Sequence, residues 1–353
     1  MVRLGVPNRF IVVCVAILVY AVVVTFKIFS SDVTCRPTVC PSSVCNSSVE
    51  EKHVTEVTNA PPWEQHLDFK GFDNETGTPD GHYIVPNYVH FVKFGQAEFS
   101  FVHTVCILAA LKNQKPEKLF IHTDLNGFRG KYWNVMMNTT GFKEVLVIKK
   151  MKVPTEIFGQ KLQQKWRNYH GGDVARLQIM MKYGGIYLDS DSYVVRSLND
   201  FRRYEMTLGW FPGKDMGNQI LLAHKDARFL RLWYESYRDN YDPTSWYYNA
   251  GTYPTNILVD KPYLVHRVEK LFGNYGIKWK TYMTNFPEWR DYYTFHLLSS
   301  RLNRGLKNLS KTLKYPVVFN DVNILKYPVA FRDMCKAVYP FPKGRINENT
   351  YSI

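Results

Sequence analysis

The stretch between residues 172 and 198 constrains the fold of this chain more than any other. Apolar residues recur at intervals of three and four within 173–182, which predicts a helix with one buried face. Gly184 and Gly185 predict its end, because glycine readily adopts the left-handed conformation that a helix exit often needs. The apolar run 186–188 then predicts a short buried strand.

Two carboxylates, one residue apart, follow this predicted strand. Asp189 and Asp191 stand where a parallel strand delivers side chains into the crevice at its carboxyl end. Such a pair can hold a hard divalent cation, which in turn can help a diphosphate to leave. Asp173 and Arg176 are three residues apart and project from one face of the predicted helix. An isolated Asp-x-Asp usually marks a solvated turn, but this setting favours a functional site.

The run D-x-x-R…Y-G-G-I-Y-L-D-S-D, from Asp173 to Asp191, resembles the signature of the DXD sugar-binding glycosyltransferases. This family includes α-1,4-galactosyltransferases, α-1,4-N-acetylglucosaminyltransferases, initiating α-1,6-mannosyltransferases and clostridial glucosylating toxins. The resemblance is specific over residues 173–191 and looser over 88–210. It implies an α/β fold of the GT-A type, with a Rossmann-like, mostly parallel sheet and flanking helices.

The resemblance also implies a reaction and the residues that perform it. The reaction is metal-dependent, retaining transfer of a hexose from a nucleotide-sugar, with UDP-sugars favoured, to a glycan, glycolipid or glycoprotein acceptor. Asp189 and Asp191 would hold Mn²⁺ or Mg²⁺, and Asp173 with Arg176 would bind the donor hexose. As a set, the residues implied in catalysis or substrate binding are Asp173, Arg176, Gly185, Tyr187, Asp189 and Asp191.

Composition and missing motifs exclude several other classes of protein. The 353-residue chain is 45% hydrophobic and 15% aromatic, as expected of a globular protein. Its net charge of +14 comes from basic residues scattered among aromatic ones, without the basic run that marks a nucleic-acid-binding arm. We expect this charge to attract an anionic nucleotide-sugar and predict no nucleic-acid partner. No dinucleotide-binding G-x-G-x-x-G follows the first predicted strand, and no P-loop motif occurs.

The amino-terminal region predicts a membrane anchor. Residues 10–29, from Phe10 to Phe29, carry one charge, at Lys27, and are about as long as a bilayer-spanning helix. We favour an uncleaved signal anchor over a cleaved signal peptide, because the apolar run is long and no A-x-A-like site follows it. The predicted plan is a cytoplasmic tail at 1–9, a flexible stem at 30–80 and a catalytic domain at 81–353. The family resemblance suggests a type II protein of the Golgi membrane with a lumenal catalytic domain.

Cysteines and glycosylation sequons agree with a lumenal body but leave its pairing open. Cys35, Cys40 and Cys45 could form disulfides within the stem or link two chains into a homodimer. Cys106 and Cys335 could form a bridge, and Cys106 is equally well explained as a buried apolar residue. The sequons begin at Asn46, Asn74, Asn138 and Asn308.

The remaining body predicts alternating strands and helices. Predicted strands lie at 88–94, 118–122 and 144–149, and predicted helices at 98–112 and around 130–138. Together with the helix and strand of the central stretch, this order predicts a largely parallel sheet with right-handed crossovers.

The segment after residue 210 is aromatic and carries weaker signals. Most of its rings are expected in a second layer of the core, and a few, which the sequence does not identify, could line an acceptor groove. Residues 216–219 resemble the asparagine-bearing loop of the family. His296 resembles a carboxy-terminal element that reaches the donor in relatives, but we favour a structural histidine that has simply found a partner.

Two other functions remain open from the sequence. A metal-dependent phosphodiesterase or nuclease also uses acidic pairs, but its sites recruit further clustered ligands. A membrane-anchored, non-catalytic glycan-binding protein on a transferase fold is the main alternative. The presence of Asp173, Arg176, Asp189 and Asp191 favours the enzyme.

Overall fold

The computed structural model describes residues 60–273, 278–299, 318–342 and 344. All of them belong to the second of two units into which the chain divides, Asn59–Ile353. The predicted tail, anchor and most of the stem lie outside the described residues, together with the stem cysteines, Asn46 and Asn308. Within the described ranges, no helix combines the length and apolar character needed to cross a membrane. The anchor and the disulfide-linked dimer therefore stay predictions.

The strands form a seven-stranded sheet, a three-stranded sheet and a two-stranded hairpin. In chain order they are β1 Tyr88–Val92, β2 Lys118–Thr123, β3 Leu146–Lys150, β4 Glu156–Ile157, β5 Gln160–Lys161, β6 Gly185–Leu188, β7 Ser192–Val194, β8 Met206–Gly209, β9 Ile220–Ala223, β10 His266–Val268, β11 Phe272–Gly273 and β12 Thr294–His296.

Helices pack on both faces of the seven-stranded sheet. They are α1 Phe101–Ala109, α2 Lys131–Met137, α3 Phe142–Val145, α4 Arg167–Tyr183, α5 Arg228–Asn240, α6 Tyr253–Asp260, α7 Lys278–Met283 and α8 Ala330–Val338. Shorter helical turns lie at Ala110–Gln114, Gln164–Trp166, Asn199–Phe201, Tyr248–Thr252, Pro262–Leu264, Pro287–Asp291 and Ile324–Lys326.

The large sheet has the strand order β10-β8-β9-β6-β1-β2-β3. Strands β6, β1, β2 and β3 are parallel neighbours, and β8 pairs in parallel with β10. In the described sheet only β9 runs against the others, since it is antiparallel to both β6 and β8. The prediction of an α/β fold with a largely parallel sheet is confirmed. The carboxyl ends of β1, β2 and β6 consequently meet at one edge.

The turn from α4 into β6 follows the predicted glycine pair. The Gly184 amide donates to the Met180 carbonyl at 2.8 Å and closes the helix. Gly184 and Gly185 have φ angles of +62° and +104°, which are accessible to glycine but strained for other residues. The chain can therefore reverse within two residues and enter β6 with Ile186 and Leu188 fully buried.

The three-stranded sheet lies beside the end of β6 and has the order β11-β12-β7. Strand β12 pairs antiparallel with β7, and this register places His296 opposite Ser192. The Leu297 amide also donates to the Asp191 carbonyl at 2.9 Å. Strand pairing thus carries a segment from far downstream in the chain to the acidic pair after β6.

Several predicted boundaries differ from the observed ones. The helix predicted at 98–112 is α-helical over Phe101–Ala109 and continues as a π-helical turn to Gln114. The helix predicted at 173–182 begins earlier, at Arg167, because Gly171 and Gly172 are accommodated inside it. The strand predicted at 144–149 begins at Leu146, after the short helix Phe142–Val145.

The predicted stem is too long at its carboxyl end, because residues 60–80 pack against the body. Phe69 clusters with Ile84 and Val85, and the Thr78 amide donates to the Arg203 carbonyl at 3.1 Å. Asn74 is 1% exposed, and its side-chain amide donates to Glu205 Oε2 at 3.0 Å. Buried in this way, Asn74 is not an accessible glycosylation site, whereas Asn138 is exposed.

Cys106 in α1 and Cys335 in α8 are both free thiols and both fully buried. The bridge that the sequence left open is absent, and the alternative interpretation of Cys106 as a buried apolar residue holds. Burial raises the pKa of both thiols well above the usual value.

We expect Gly185→Ala to destabilise the fold by at least about 2 kcal/mol. A Cβ at this position would lie 2.5 Å from the Tyr88 carbonyl oxygen on the neighbouring strand, at a φ that alanine tolerates poorly. Urea unfolding of the full chain measures the loss. Gly127→Ala is the matched control, because a Cβ there meets nothing within 4 Å and φ is not positive. Equal stability of the two variants would contradict this account.

A pair of buried histidines should make stability depend on pH. His90 Nδ1 lies 3.1 Å from His122 Nε2, and His90 Nε2 lies 2.9 Å from the Gly184 carbonyl oxygen. Burial, with smaller effects of Lys149 and Lys182, lowers the pKa of His122 to about 4, and burial also lowers the pKa of His90. Between pH 6.5 and 4 the unfolded chain therefore binds protons that the folded chain does not.

We expect the free energy of unfolding to fall as the pH is lowered from 6.5 toward 4. His122 should contribute about 1.4 kcal/mol per pH unit within this window. His122→Gln should reduce the slope, measured by urea unfolding at several pH values. An unchanged slope in His122→Gln would show that this histidine does not carry the effect.

Candidate functional site

A cavity of 830 Å³ opens at the carboxyl edge of β1, β2 and β6. One side is formed by the loops after β1 and β2 and the other by the amino-terminal end of α4. The Gly95 amide donates to Asp124 Oδ1 at 2.9 Å and fixes the two loops to each other. The lining includes Phe94, Gly95, Gln96, His103, Asp124, Tyr169, Arg176, Tyr187, Asp189, Asp191 and Ser299.

Asp189, Asp191 and His296 form a three-residue group, of which the two aspartates line the cavity. One ligand atom from each lies within 4.8 Å of the other two. His296 Nε2 is 3.2 Å from Asp191 Oδ1 and 3.9 Å from Asp189 Oδ2. The three side chains come from the end of β6 and from β12, so the pairing of β12 with β7 assembles the group.

Each carboxylate in this group has one oxygen bonded to the protein and the other directed at His296. Asp191 Oδ2 accepts from the Ser299 amide at 2.9 Å and from its hydroxyl at 3.1 Å. Asp189 Oδ1 accepts from the Tyr187 hydroxyl at 2.9 Å and lies 3.3 Å from the Arg176 guanidinium. Asp191 Oδ1 and Asp189 Oδ2 remain on the side of the imidazole.

Burial and mutual attraction have opposite effects on the pKa values of Asp191 and His296. Burial alone would raise the pKa of Asp191, but His296 and the donors of Ser299 hold it below the usual range. Burial alone would lower the pKa of His296, but Asp191 and Asp189 raise it. The imidazole and the two carboxylates therefore stabilise each other as ions. A cation bound between the carboxylates would replace the charge that the imidazolium supplies.

The Arg176 guanidinium is held by three groups behind the acidic pair. It donates to the Asn218 carbonyl at 2.7 Å and lies 3.2 Å from Asp173 Oδ1 and 3.3 Å from Asp189 Oδ1. It also stacks over the Tyr187 ring, with 4.9 Å between the guanidinium carbon and the ring centroid. The Arg176 side chain is 9% exposed, and its Nε has no hydrogen-bond partner in the described part of the chain. It therefore presents a fixed positive charge in the cavity wall.

Asp173 supports Arg176 from behind and is not part of the lining. Its Oδ1 also accepts from the Asn218 side-chain amide at 3.1 Å. Burial raises the pKa of Asp173 to about 6, against the lowering effect of Arg176. Asn218 belongs to the loop 216–219, so the resemblance of that loop corresponds to a real contact with the Asp173–Arg176 pair.

The family resemblance implied that Gly185 takes part in substrate binding. Gly185 lies outside the lining, at the start of β6, where its backbone contacts Tyr88 and His90. Its absent side chain permits close strand packing. Tyr187, by contrast, lines the cavity and contacts both Asp189 and Arg176.

Two residues of the site were missed from the sequence, and a third has neighbours that the sequence did not reveal. His296, which we had favoured as a structural histidine with a partner, pairs with Asp191 and is the third member of the Asp189–Asp191 group. Ser299 orients Asp191 and carries no motif of its own. His103 was assigned only to a helix, yet it lines the cavity with a buried Nδ1 that has no partner among the described residues. Only its polar character within an apolar helical pattern signalled the exception.

The donor set fits a divalent cation. Carboxylate oxygens are the ligands that Mg²⁺ and Mn²⁺ prefer, and imidazole is a common ligand of transition metals. Two carboxylates and one imidazole therefore suit Mn²⁺ better than Mg²⁺. The one-sided bonding of each carboxylate leaves an oxygen on each for such an ion.

We expect the buried Asp173–Arg176 pair to be strongly coupled. Arg176→Met should cost about 3–5 kcal/mol, because it leaves the Asp173 carboxylate buried without its cation. Asp173→Asn together with Arg176→Met should cost less than the sum of the two single changes, by roughly 1–3 kcal/mol. Urea unfolding at pH 7 of the wild type, both single variants and the double variant measures the coupling. Additive costs would show that the contact is energetically unimportant.

Comparison with known sequences finds a matching family and a matching protein. Residues 107–207 match the family described as "Glycosyltransferase sugar-binding region containing DXD motif". A protein named Glucan organizing enzyme 1, from Cryptococcus neoformans var. grubii, is 27% identical over 254 residues. The match covers 64% of this chain and 66% of that protein, so the chain spans just under two thirds of the relative's length.

Solved structures give weaker similarities. The galactosyltransferase LgtC, in complex with donor and acceptor sugar analogues, aligns with a TM-score of 0.38 at 12% identity, over 73% of this chain and 100% of its own. The PaToxG glycosyltransferase aligns with a TM-score of 0.34 at 17% identity, over 67% of this chain and 81% of its own. Similarity at this level does not establish a shared activity.

Proposed function

We propose that the chain, whose residues 107–207 match the DXD sugar-binding region of glycosyltransferases, is a glycosyltransferase that transfers a hexose from a nucleotide-sugar to a glycan, glycolipid or glycoprotein. The reaction proposed is metal-dependent, retains the anomeric configuration and produces an α-linkage. Mn²⁺ is the proposed ion and a UDP-sugar the proposed donor.

The arrangement of Asp189, Asp191 and His296 is the observation that carries this proposal. Both carboxylates keep one oxygen for hydrogen bonds within the protein and direct the other to the same small region. Both of these oxygens face His296, whose Nε2 is 3.2 Å from Asp191 Oδ1 and 3.9 Å from Asp189 Oδ2, so a cation bound there would take over the charge that the imidazolium supplies. A bound divalent cation would neutralise charge on the departing diphosphate.

The two sides of the cavity suggest how a donor would lie. The side next to Arg176 and Tyr187 offers a fixed positive charge and a buried hydroxyl, which suit the hexose and its hydroxyl groups. Phe94 to Gln96, which also belong to the lining, offer a ring and backbone groups, which suit the nucleoside. The acidic pair would then hold the ion that contacts the diphosphate.

The proposed step is a substitution on one face of the sugar. The bond between the anomeric carbon and the diphosphate oxygen breaks, and its electron pair stays on the diphosphate. The acceptor oxygen bonds to the same face of the anomeric carbon and passes its proton to the departing diphosphate. Arg176 and Asp189 would orient the hexose during this step, and Asp173 would hold Arg176 in place.

We also propose that this reaction takes place in the secretory pathway. The apolar run 10–29 would anchor the chain as a type II protein of the Golgi membrane. The compact body beginning near residue 60 would then lie in the lumen, where its nucleotide-sugar donors are delivered.

We expect the full chain, purified in detergent, to release nucleotide from one UDP-sugar in the presence of Mn²⁺ and to stop when EDTA is added. Asp191→Asn should lower this rate by at least about 100-fold, because it removes the charge that holds the ion. Asp239→Asn, an exposed acidic residue on α5, is the matched control and should keep full activity.

Binding of the ion provides a readout that does not need turnover. The electron paramagnetic resonance signal of Mn²⁺ should report tight binding to the wild type and much weaker binding to Asp191→Asn and His296→Ala. If Mn²⁺ binds as in the wild type to all variants, the proposed site is wrong. If the wild type binds glycans but turns over no donor, the non-catalytic glycan-binding alternative replaces the enzyme.

A further inference from the structure

One exposed aromatic ring that the proposed donor chemistry does not use lines the cavity, and two further rings pack against it. Tyr169, in the first turn of α4, lines the cavity and is 47% exposed. Trp246 is 37% exposed and packs edge-on against Tyr169, with 6.1 Å between ring centroids. The half-buried Trp166 ring lies 6.2 Å from the Tyr169 ring, measured between centroids. Adjacent exposed rings at a cavity mouth are a common mark of a binding surface.

These rings are held in place by buried contacts beneath them. His170 Nδ1 lies 2.9 Å from the Tyr241 hydroxyl, and His170 Nε2 lies 3.1 Å from the Ser245 carbonyl oxygen. One buried imidazole thus joins the start of α4 to the segment before Trp246. The Tyr247 hydroxyl donates to the Met216 carbonyl at 2.8 Å. The rim is therefore fixed in advance of any ligand, which limits the entropy lost on binding.

The same contacts place the rings on the hexose side of the proposed donor. Met216 and Asn218 belong to one loop, and the Asn218 carbonyl accepts from Arg176 at 2.7 Å. The segment that bears Trp246 is therefore anchored to the loop that positions Arg176. Tyr169 and Arg176 both line the cavity and lie seven residues apart on α4, so they share one face of that helix. An acceptor must approach the anomeric carbon from the hexose side.

We propose that Tyr169 and Trp246 form the acceptor subsite, a platform on which a pyranose ring of a neutral glycan stacks. The carbon-bound hydrogens of a pyranose make an apolar face, which complements an exposed aromatic ring better than the anionic diphosphate or its nucleoside does. The role of this platform in sugar transfer depends on the proposed function. Its affinity for sugar rings can be measured without turnover.

The test compares transfer with hydrolysis in the full chain, purified in detergent. The acceptors are p-nitrophenyl α- and β-glycosides of glucose, galactose, mannose and N-acetylglucosamine, with the UDP-sugar that supports nucleotide release. Tyr169→Ala and Trp246→Ala should each raise the acceptor KM about tenfold and shift the partition from transfer toward hydrolysis. Tyr169→Phe keeps the ring and should stay within about threefold of the wild type.

Tyr263→Ala is the matched control, since this tyrosine is 56% exposed and lines a different cavity. It should leave both the acceptor KM and the partition unchanged. Saturation-transfer NMR with the methyl glycosides of the same sugars supplies the second readout. Signals from the pyranose ring protons should appear with the wild type and disappear with Trp246→Ala.

The outcomes separate the platform from the proposed function. If donor is turned over but both alanine variants keep the wild-type KM and NMR signals, the platform is wrong and the transferase stands. If no donor is turned over, the proposed transferase fails, and loss of the NMR signals in Trp246→Ala still supports a glycan-binding platform. Unchanged NMR signals in that case overturn both.

Discussion

The buried guanidinium of Arg176 is the interaction on which the site depends. It connects α4 through Asp173, the end of β6 through Asp189 and the loop before β9 through the Asn218 carbonyl. A buried cation is costly unless opposite charges lie close by, and here Asp173 and Asp189 supply them. Fixing Arg176 therefore fixes three separate segments of the chain. The acidic pair, the hexose side of the cavity and the aromatic rim are all positioned relative to it.

A second constraint is the pairing of β12 with β7. Residues 192–194 follow the acidic pair directly, so whatever pairs with them is delivered to the site. The register of this pairing brings His296 beside Asp191, and the turn that follows brings the Ser299 donors to the other carboxylate oxygen. The small sheet therefore completes the ligand set that the large sheet begins. A register shift of one residue would turn His296 to the opposite face.

The rim and the base of the cavity differ in the burial and charge of their side chains. At the base, charge is buried and compensated, and each oxygen has an assigned neighbour. At the rim, apolar rings remain in water although their supports are buried. Such a division suits the charged donor and the neutral acceptor that we propose.

The sequence by itself determined the local structure of the stretch between residues 172 and 198. Helical spacing, the glycine pair and the apolar run predicted α4, the turn and β6, because these signals are local and each acts within a few residues. They also placed Asp173, Arg176, Asp189 and Asp191 on neighbouring elements. Only the tertiary structure decided which distant residues join them. His296, Ser299 and Trp246 reach the site through strand pairing and loop contacts, and residues 60–80 join the body through burial. These contacts depend on the packing of segments far apart in the chain, which no local pattern of residue types records.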